Sequence, residues 1–267
     1  MTLISNNLAT SQQETGEWEP ISGTRLMILV GVTGVGKTTT VNALRDTAVN
    51  HTFALLPNRR TLTDQLIIGE LQQMDGEEVA PVADRAKRFE YTRRYRELNP
   101  GGMAHALSQL WVKKERSTAE NHWLIFDGLR GENEVHHAAA LLPNAKFLVL
   151  DAPHFVRVQR LLGRGDAFDT ISTTGQSSDQ DDLLANTGDL FSAEQKSQLI
   201  SLVTAGQLTA DELKSKVEIV WKERQNYDPA AAIQTLRAEA ASRTFVADTV
   251  TYQPEAIALQ TIETLLT

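Results

Sequence analysis

The chain has 267 residues, 41% hydrophobic and 22% charged, enough to bury a large core without staples. Asp and Glu number 34 against 26 Lys and Arg, a formal net charge of −8 that argues against a general nucleic-acid binder. The absence of cysteine removes disulfide frameworks, cysteine-ligated zinc, iron–sulfur clusters and thiol catalysis.

No run approaches the roughly 18 consecutive apolar residues of a membrane span. Residues 1–23 are polar and lack the basic-then-apolar order of a secretory leader. These features predict a cytoplasmic protein with no membrane partner. Residues 1–23 also lack any period and are expected to form a flexible arm, with residues 24–267 forming one α/β domain.

Order begins at the apolar run 26–30, the pattern of a parallel strand covered on both faces. A helix over 38–49 and a strand over 52–56 complete a βαβ unit. Helical patterns over 81–98 and 103–116 flank the breaker Asn99-Pro100-Gly101-Gly102. Buried strands follow at 123–126 and 146–150 with a helix over 134–142 between them, then a strand at 244–247 and a closing helix over 254–266. The alternation predicts a three-layer α/β/α fold with a five-stranded parallel sheet. A helical insertion over about 165–242 interrupts it. Capping boxes at Ser192/Gln195 and Thr209/Glu212, and Asp228-Pro229, mark three helix starts there.

Directly after the first core strand stands Gly31-Val32-Thr33-Gly34-Val35-Gly36-Lys37-Thr38, a full G-x-x-x-x-G-K-[ST] match followed by Thr39. Glycines let the backbone curl so that successive N–H groups face phosphate oxygens, and the following helix presents its positive end to the same anion. Lys37 would reach the β and γ phosphates, and Thr38 would offer its hydroxyl to Mg2+. The predicted ligands are therefore ATP and Mg2+, a nucleoside triphosphate and its metal.

On these residues the chain resembles the P-loop NTPase superfamily. The resemblance implies that Asp127, ending an apolar strand, holds Mg2+ together with Thr38. Gly128 follows Asp127 where a hydrolysing ATPase carries Glu, and no N-K-x-D guanine-reading segment is present. Asp127-Gly128-Leu129-Arg130 is instead similar to the Asp-Gly-x-x-Arg segment of adenylate-kinase-like nucleotide kinases, without their usual Pro before Arg. The same resemblance implies catalytic lid arginines after the next strand, and Arg157, Arg160 and Arg164 fall at i, i+3 and i+7 on one helix face. It also makes Ala247-Asp248-Thr249-Val250 the loop that packs on adenine.

A small phosphorylated or hydroxylated acceptor is expected beyond the second core strand. Arg59 and Arg60 would bind its anion, Asp64 would orient its hydroxyl or phosphate, and Arg130 would assist. The helix over 85–96 carries Arg85, Lys87, Arg88, Arg93, Arg94 and Arg96 interleaved with Phe89, Tyr91 and Tyr95. This island reads equally well as basic chains lying over apolar neighbours or as an acceptor-phosphate site. RNA binding through it is the minority reading. His136-His137 lack the H-E-x-x-H spacing of a metal site. The leading functional expectation is an ATP- and Mg2+-dependent phosphotransferase. The alternative is a nucleotide-binding switch or regulatory ATPase that signals through its insertion. Dimerisation through the insertion is left open.

Overall fold

The computed structural model describes residues 3–5, 7–10, 16–117, 121–163, 184 and 187–266. Three short strands come first: β1 (Leu3–Ser5), β2 (Leu8–Ala9) and β3 (Trp18–Pro20). Then follow β4 (Leu26–Val30), α1 (Lys37–Thr47), β5 (Thr52–Leu55), α2 (Arg59–Leu62), a π-helical stretch over Thr63–Ile68 and α3 (Gly69–Met74). The middle of the chain carries α4 (Arg85–Leu98), α5 (Met103–Ser108), β6 (Trp111–Lys113), α6 (Lys114–Ser117), β7 (His122–Leu129), α7 (Glu132–Leu141) and β8 (Lys146–Asp151). The remainder is α8 (His154–Leu162), α9 (Ala193–Thr204), α10 (Ala210–Asn226), α11 (Pro229–Glu239), β9 (Thr244–Asp248) and α12 (Pro254–Leu265).

The central sheet is five-stranded and parallel, in the order β5-β7-β4-β8-β9. Side chains alternate across it, so each strand feeds two cores. Met27, Leu29, Ile125, Leu148 and Leu150 pack under α1 and α12, through Val41, Leu44, Ile257 and Ala258. Ile28, Val30, Phe126, Phe147 and Val149 pack under α5, α7 and α11, through Leu107, Val135, Ala138 and Leu236. This is the expected three-layer α/β/α arrangement. The strand bearing the glycine loop lies directly beside β7, which does not end at Asp127 as expected but runs on to Leu129.

Two expectations are corrected. The first 23 residues are not a loose arm throughout: β1, β2 and β3 join β6 in an antiparallel sheet of order β1-β2-β6-β3. Buried Leu8, Trp18 and Ile21 supply the burial that the polar composition obscured. The helix expected over 103–116 stops at Ser108, because Trp111-Val112-Lys113 pairs with both β2 and β3. Long-range pairing overrides local helical preference there.

The three insertion helices begin at the expected caps. α11 nevertheless belongs to the sheet layer, with Ala232 and Leu236 in the core of Ile28 and Phe147. Only α9 and α10 stand apart from it, and they share a separate core with α8 through Val158, Leu161, Leu199, Leu213, Val217 and Val220.

Gly128 fixes the geometry of β7 just after Asp127. The β4–β7 register passes from Leu29 opposite Asp127 to Val30 opposite Leu129, so Gly128 forms a bulge. A Cβ built on it would lie 2.4 Å from Cζ of Phe126, whose ring is fully buried. Gly128→Ala is expected to destabilise the chain by about 1–3 kcal/mol through overpacking. Urea denaturation checks this, and an unshifted midpoint would show that the ring yields freely.

Candidate nucleotide and acceptor site

The loop between β4 and α1 curls where glycine permits it. Gly34 has φ +85°, and a Cβ there would come within 3.0 Å of the Arg157 backbone oxygen. Gly31 has φ +153°, and a Cβ there would meet Leu150 O and Val35 Cγ2, both at 2.8 Å. Val35 is buried and anchors the loop, while Thr38 and Thr39 at the start of α1 are exposed. Lys37 Nζ folds over the loop, donating to Gly31 O at 2.9 Å and Val32 O at 3.0 Å. It lies 3.6 Å from Asp127 Oδ1, an ion pair beyond hydrogen-bond reach. Burial lowers the pKa of this ammonium below the usual lysine value. The Asp127 and Glu223 charges partly restore it, and Arg130 opposes them.

Asp127 Oδ1 is buried with no hydrogen-bond partner, and the Thr38 hydroxyl has none among the described residues. An unsatisfied carboxylate oxygen and a free hydroxyl at the loop fit an oxygen-loving divalent cation such as Mg2+. No group of three or more His, Cys, Asp or Glu side chains able to hold a metal occurs among the described residues.

α8 delivers its arginines straight to this loop. Arg157 is 1% exposed. Its Nε donates to Thr33 O at 2.8 Å, and its Nη2 donates to Glu223 Oε2. Burial lowers its pKa, Glu223 raises it and Arg130 lowers it, although an arginine remains charged throughout. Arg160 donates to Gly34 O at 3.3 Å and to the Thr249 hydroxyl and carbonyl at 2.8 and 2.7 Å, tying the loop to the segment after β9. Both arginines are thus clamped against the loop. Arg164 lies outside the described residues.

Glu223 on α10 was not anticipated. Its carboxylate accepts the Thr33 N–H at 3.0 and 3.2 Å, the Thr33 hydroxyl at 2.6 Å and Arg130 Nη1 at 2.8 Å, besides Arg157. Its sequence signal was faint: Leu213, Val217 and Val220 make a buried stripe, and Glu223 continues it. Glu134 was missed in the same way. It takes both Arg59 Nη atoms, at 2.9 and 2.6 Å, and the Arg130 N–H at 3.1 Å. Burial pulls the Arg59 pKa down, but the Glu134 carboxylate outweighs it and raises the value.

A cavity of about 500 Å³ opens beside Thr33 and Glu223. Arg59, Arg88, Arg96, Arg130 and Lys222 line it, against two carboxylates, Glu134 and Glu223. Arg88, Phe89, Thr92, Tyr95 and Arg96 give it one face of α4. The other basic residues divide: Arg93 pairs with Glu97 and Arg94 with Asp75, as a solvated helix face would. Arg60 and Asp64 are not among the lining residues, and Asp64 is paired to Arg88. A second cavity, of about 440 Å³, lies at the other end of the loop between Gly36, Thr39, Arg160, Thr249, Val250 and Tyr252. No described helix is long and apolar enough to cross a membrane.

No protein-family model matches the chain, and no curated protein does. Among solved structures it is similar to a sugar kinase from Janibacter sp. HTCC2649, at 16% identity over 90% of this chain and 94% of that one, with a TM-score of 0.36. A gluconokinase from Sinorhizobium meliloti 1021 is similar at 13% identity over 92% and 94%, with a TM-score of 0.36. A shikimate kinase from Acinetobacter baumannii follows at 13% identity over 82% and 92%, with a TM-score of 0.26. Likenesses this loose carry no weight for function. The fold stands on the strand order and the glycine loop of the chain itself.

Proposed function

We propose that the chain is an ATP- and Mg2+-dependent phosphotransferase acting on a small acceptor that carries a negative charge. The observation that carries this reading is a phosphate-type loop opening, at Thr33, directly into a separate cavity with an excess of cationic side chains. A donor phosphoryl group on the loop and an acceptor in that cavity would meet without crossing bulk water.

The loop N–H groups and Lys37 would hold the triphosphate, and the nucleoside end would occupy the cavity of Arg160, Thr249 and Tyr252. Thr38 and Asp127 would hold Mg2+, which when bound neutralises phosphate charge. Arg157 and Arg130, beside Thr33, would face the charge that spreads during transfer, while Arg88, Arg96 and Lys222 would suit the acceptor's own anion. Asp64, held by Arg88, and Glu134, held by Arg59, keep the cavity cations in place.

An acceptor panel of phosphorylated, carboxylated and neutral hydroxyl compounds, assayed for ADP release with Mg2+, tests the proposal. Anionic members are expected to raise ADP release at least tenfold over buffer. One observation favours a second reading, a nucleotide-binding switch: α10 of the insertion touches the loop through Glu223. Nucleotide binding with slow turnover, indifferent to every acceptor, would favour it instead.

A further inference from the structure

Glu223 occupies a position that is costly for a carboxylate to hold. Its side chain is 7% exposed, and burying an anion is tolerated only where donors surround it. Five hydrogen bonds from three residues converge on it: the Thr33 N–H to both of its oxygens, the Thr33 hydroxyl, Arg130 Nη1 and Arg157 Nη2. A loop amide, a hydroxyl and two guanidinium groups are what a phosphoryl group takes. The Thr33 N–H belongs to the loop that would cradle phosphate, and Glu223 acts on Lys37 through its charge. Glu223 and Thr33 both line the cationic cavity, so the carboxylate sits between loop and acceptor space. It comes from α10, whose packing against α8 is separate from the sheet cores.

We propose that Glu223 is an internal stand-in for the terminal phosphoryl group, through which the site distinguishes a nucleoside triphosphate from a diphosphate. The inference rests on the phosphotransferase reading for the identity of the nucleotide. A diphosphate fills the loop and leaves the carboxylate in place. A triphosphate brings a third phosphoryl group that takes over the Thr33, Arg130 and Arg157 donors and expels Glu223, moving α10 away from the loop. Both arginines then face the group to be transferred only when there is one. Expulsion weakens apparent triphosphate affinity in proportion to how firmly the carboxylate is held.

The test is calorimetric titration of the full chain, and of E223Q, with ADP and with a non-hydrolysable ATP analogue, each with Mg2+, using K37A as control. Amide hydrogen exchange across α10 is measured in parallel on the unmodified chain. E223Q is expected to tighten the triphosphate analogue about tenfold or more while changing ADP by less than about threefold, the differential that separates expulsion from a general charge effect. The analogue, but not ADP, should raise exchange in the C-terminal half of α10. Equal tightening of both nucleotides, or identical α10 exchange with both, overturns the inference and leaves the loop's role intact. Should E223Q not fold, the exchange measurement on the unmodified chain decides alone. Absence of any binding sensitive to K37A overturns the inference and the phosphotransferase reading together.

Discussion

Replacing Lys37 by alanine is expected to lower acceptor-stimulated ADP release by about 10²–10³, the usual cost of deleting one preorganised donor at developing phosphate charge. The position of the ammonium suits the proposed role. It is held over the loop by Gly31 O and Val32 O, faces the Asp127 carboxylate, and is kept partly desolvated. Under the proposed function, a triphosphate would give it stronger partners than two carbonyls, and its contribution would grow as phosphate arrives. The measurement is ADP release by coupled assay, with circular dichroism to show that the fold persists. An unchanged rate would remove the loop from the chemistry.

Arg157→Ala is expected to produce the largest loss of stability, about 3–5 kcal/mol, because it leaves a buried carboxylate with fewer counter-charges. Arg157 is the largest fully buried side chain among the described residues, and its guanidinium joins the Thr33 backbone to Glu223. Guanidinium denaturation measures the loss. Coupling provides the sharper check: the double variant Arg157→Ala/Glu223→Ala should recover part of the stability, since the unpaired charge is gone. If the two losses add, the pair is not a unit. Arg157→Lys should recover little, because one ammonium cannot reach both Thr33 O and Glu223 in the fork geometry of arginine.

The central sheet and the loop were legible in the sequence because their signals are local. Leu26–Val30 is an unbroken apolar strand, and the glycine spacing after it has a backbone cause at Gly31 and Gly34. The starts of α9 and α10 were legible because each capping box closes within four residues. What escaped depends on partners far along the chain. Glu223 meets Thr33 across 190 positions and Arg130 across 93, and Glu134 meets Arg59 across 75. No periodicity encodes such pairs. A carboxylate on an otherwise apolar stripe is the only mark they leave. Arg157 and Arg160 were singled out by the resemblance and their spacing, neither of which revealed that both are clamped to the loop's backbone. The basic helix divided by face: Arg88 and Arg96 look into the cavity, while Arg93 and Arg94 pair outward.

The small antiparallel sheet sets an order on how the molecule assembles. β6 lies between β2 and β3, with Leu8 opposite Val112 and Trp18 opposite Lys113, so residues near the start must wait for a segment about a hundred positions later. Closing so long a loop is slow. On the ribosome β2 and β3 therefore emerge without the strand that joins them, and β6, once made, has two open edges until they return. Shortening the chain from its front would make that temporary condition permanent, converting a shielded ribbon into a template for self-association.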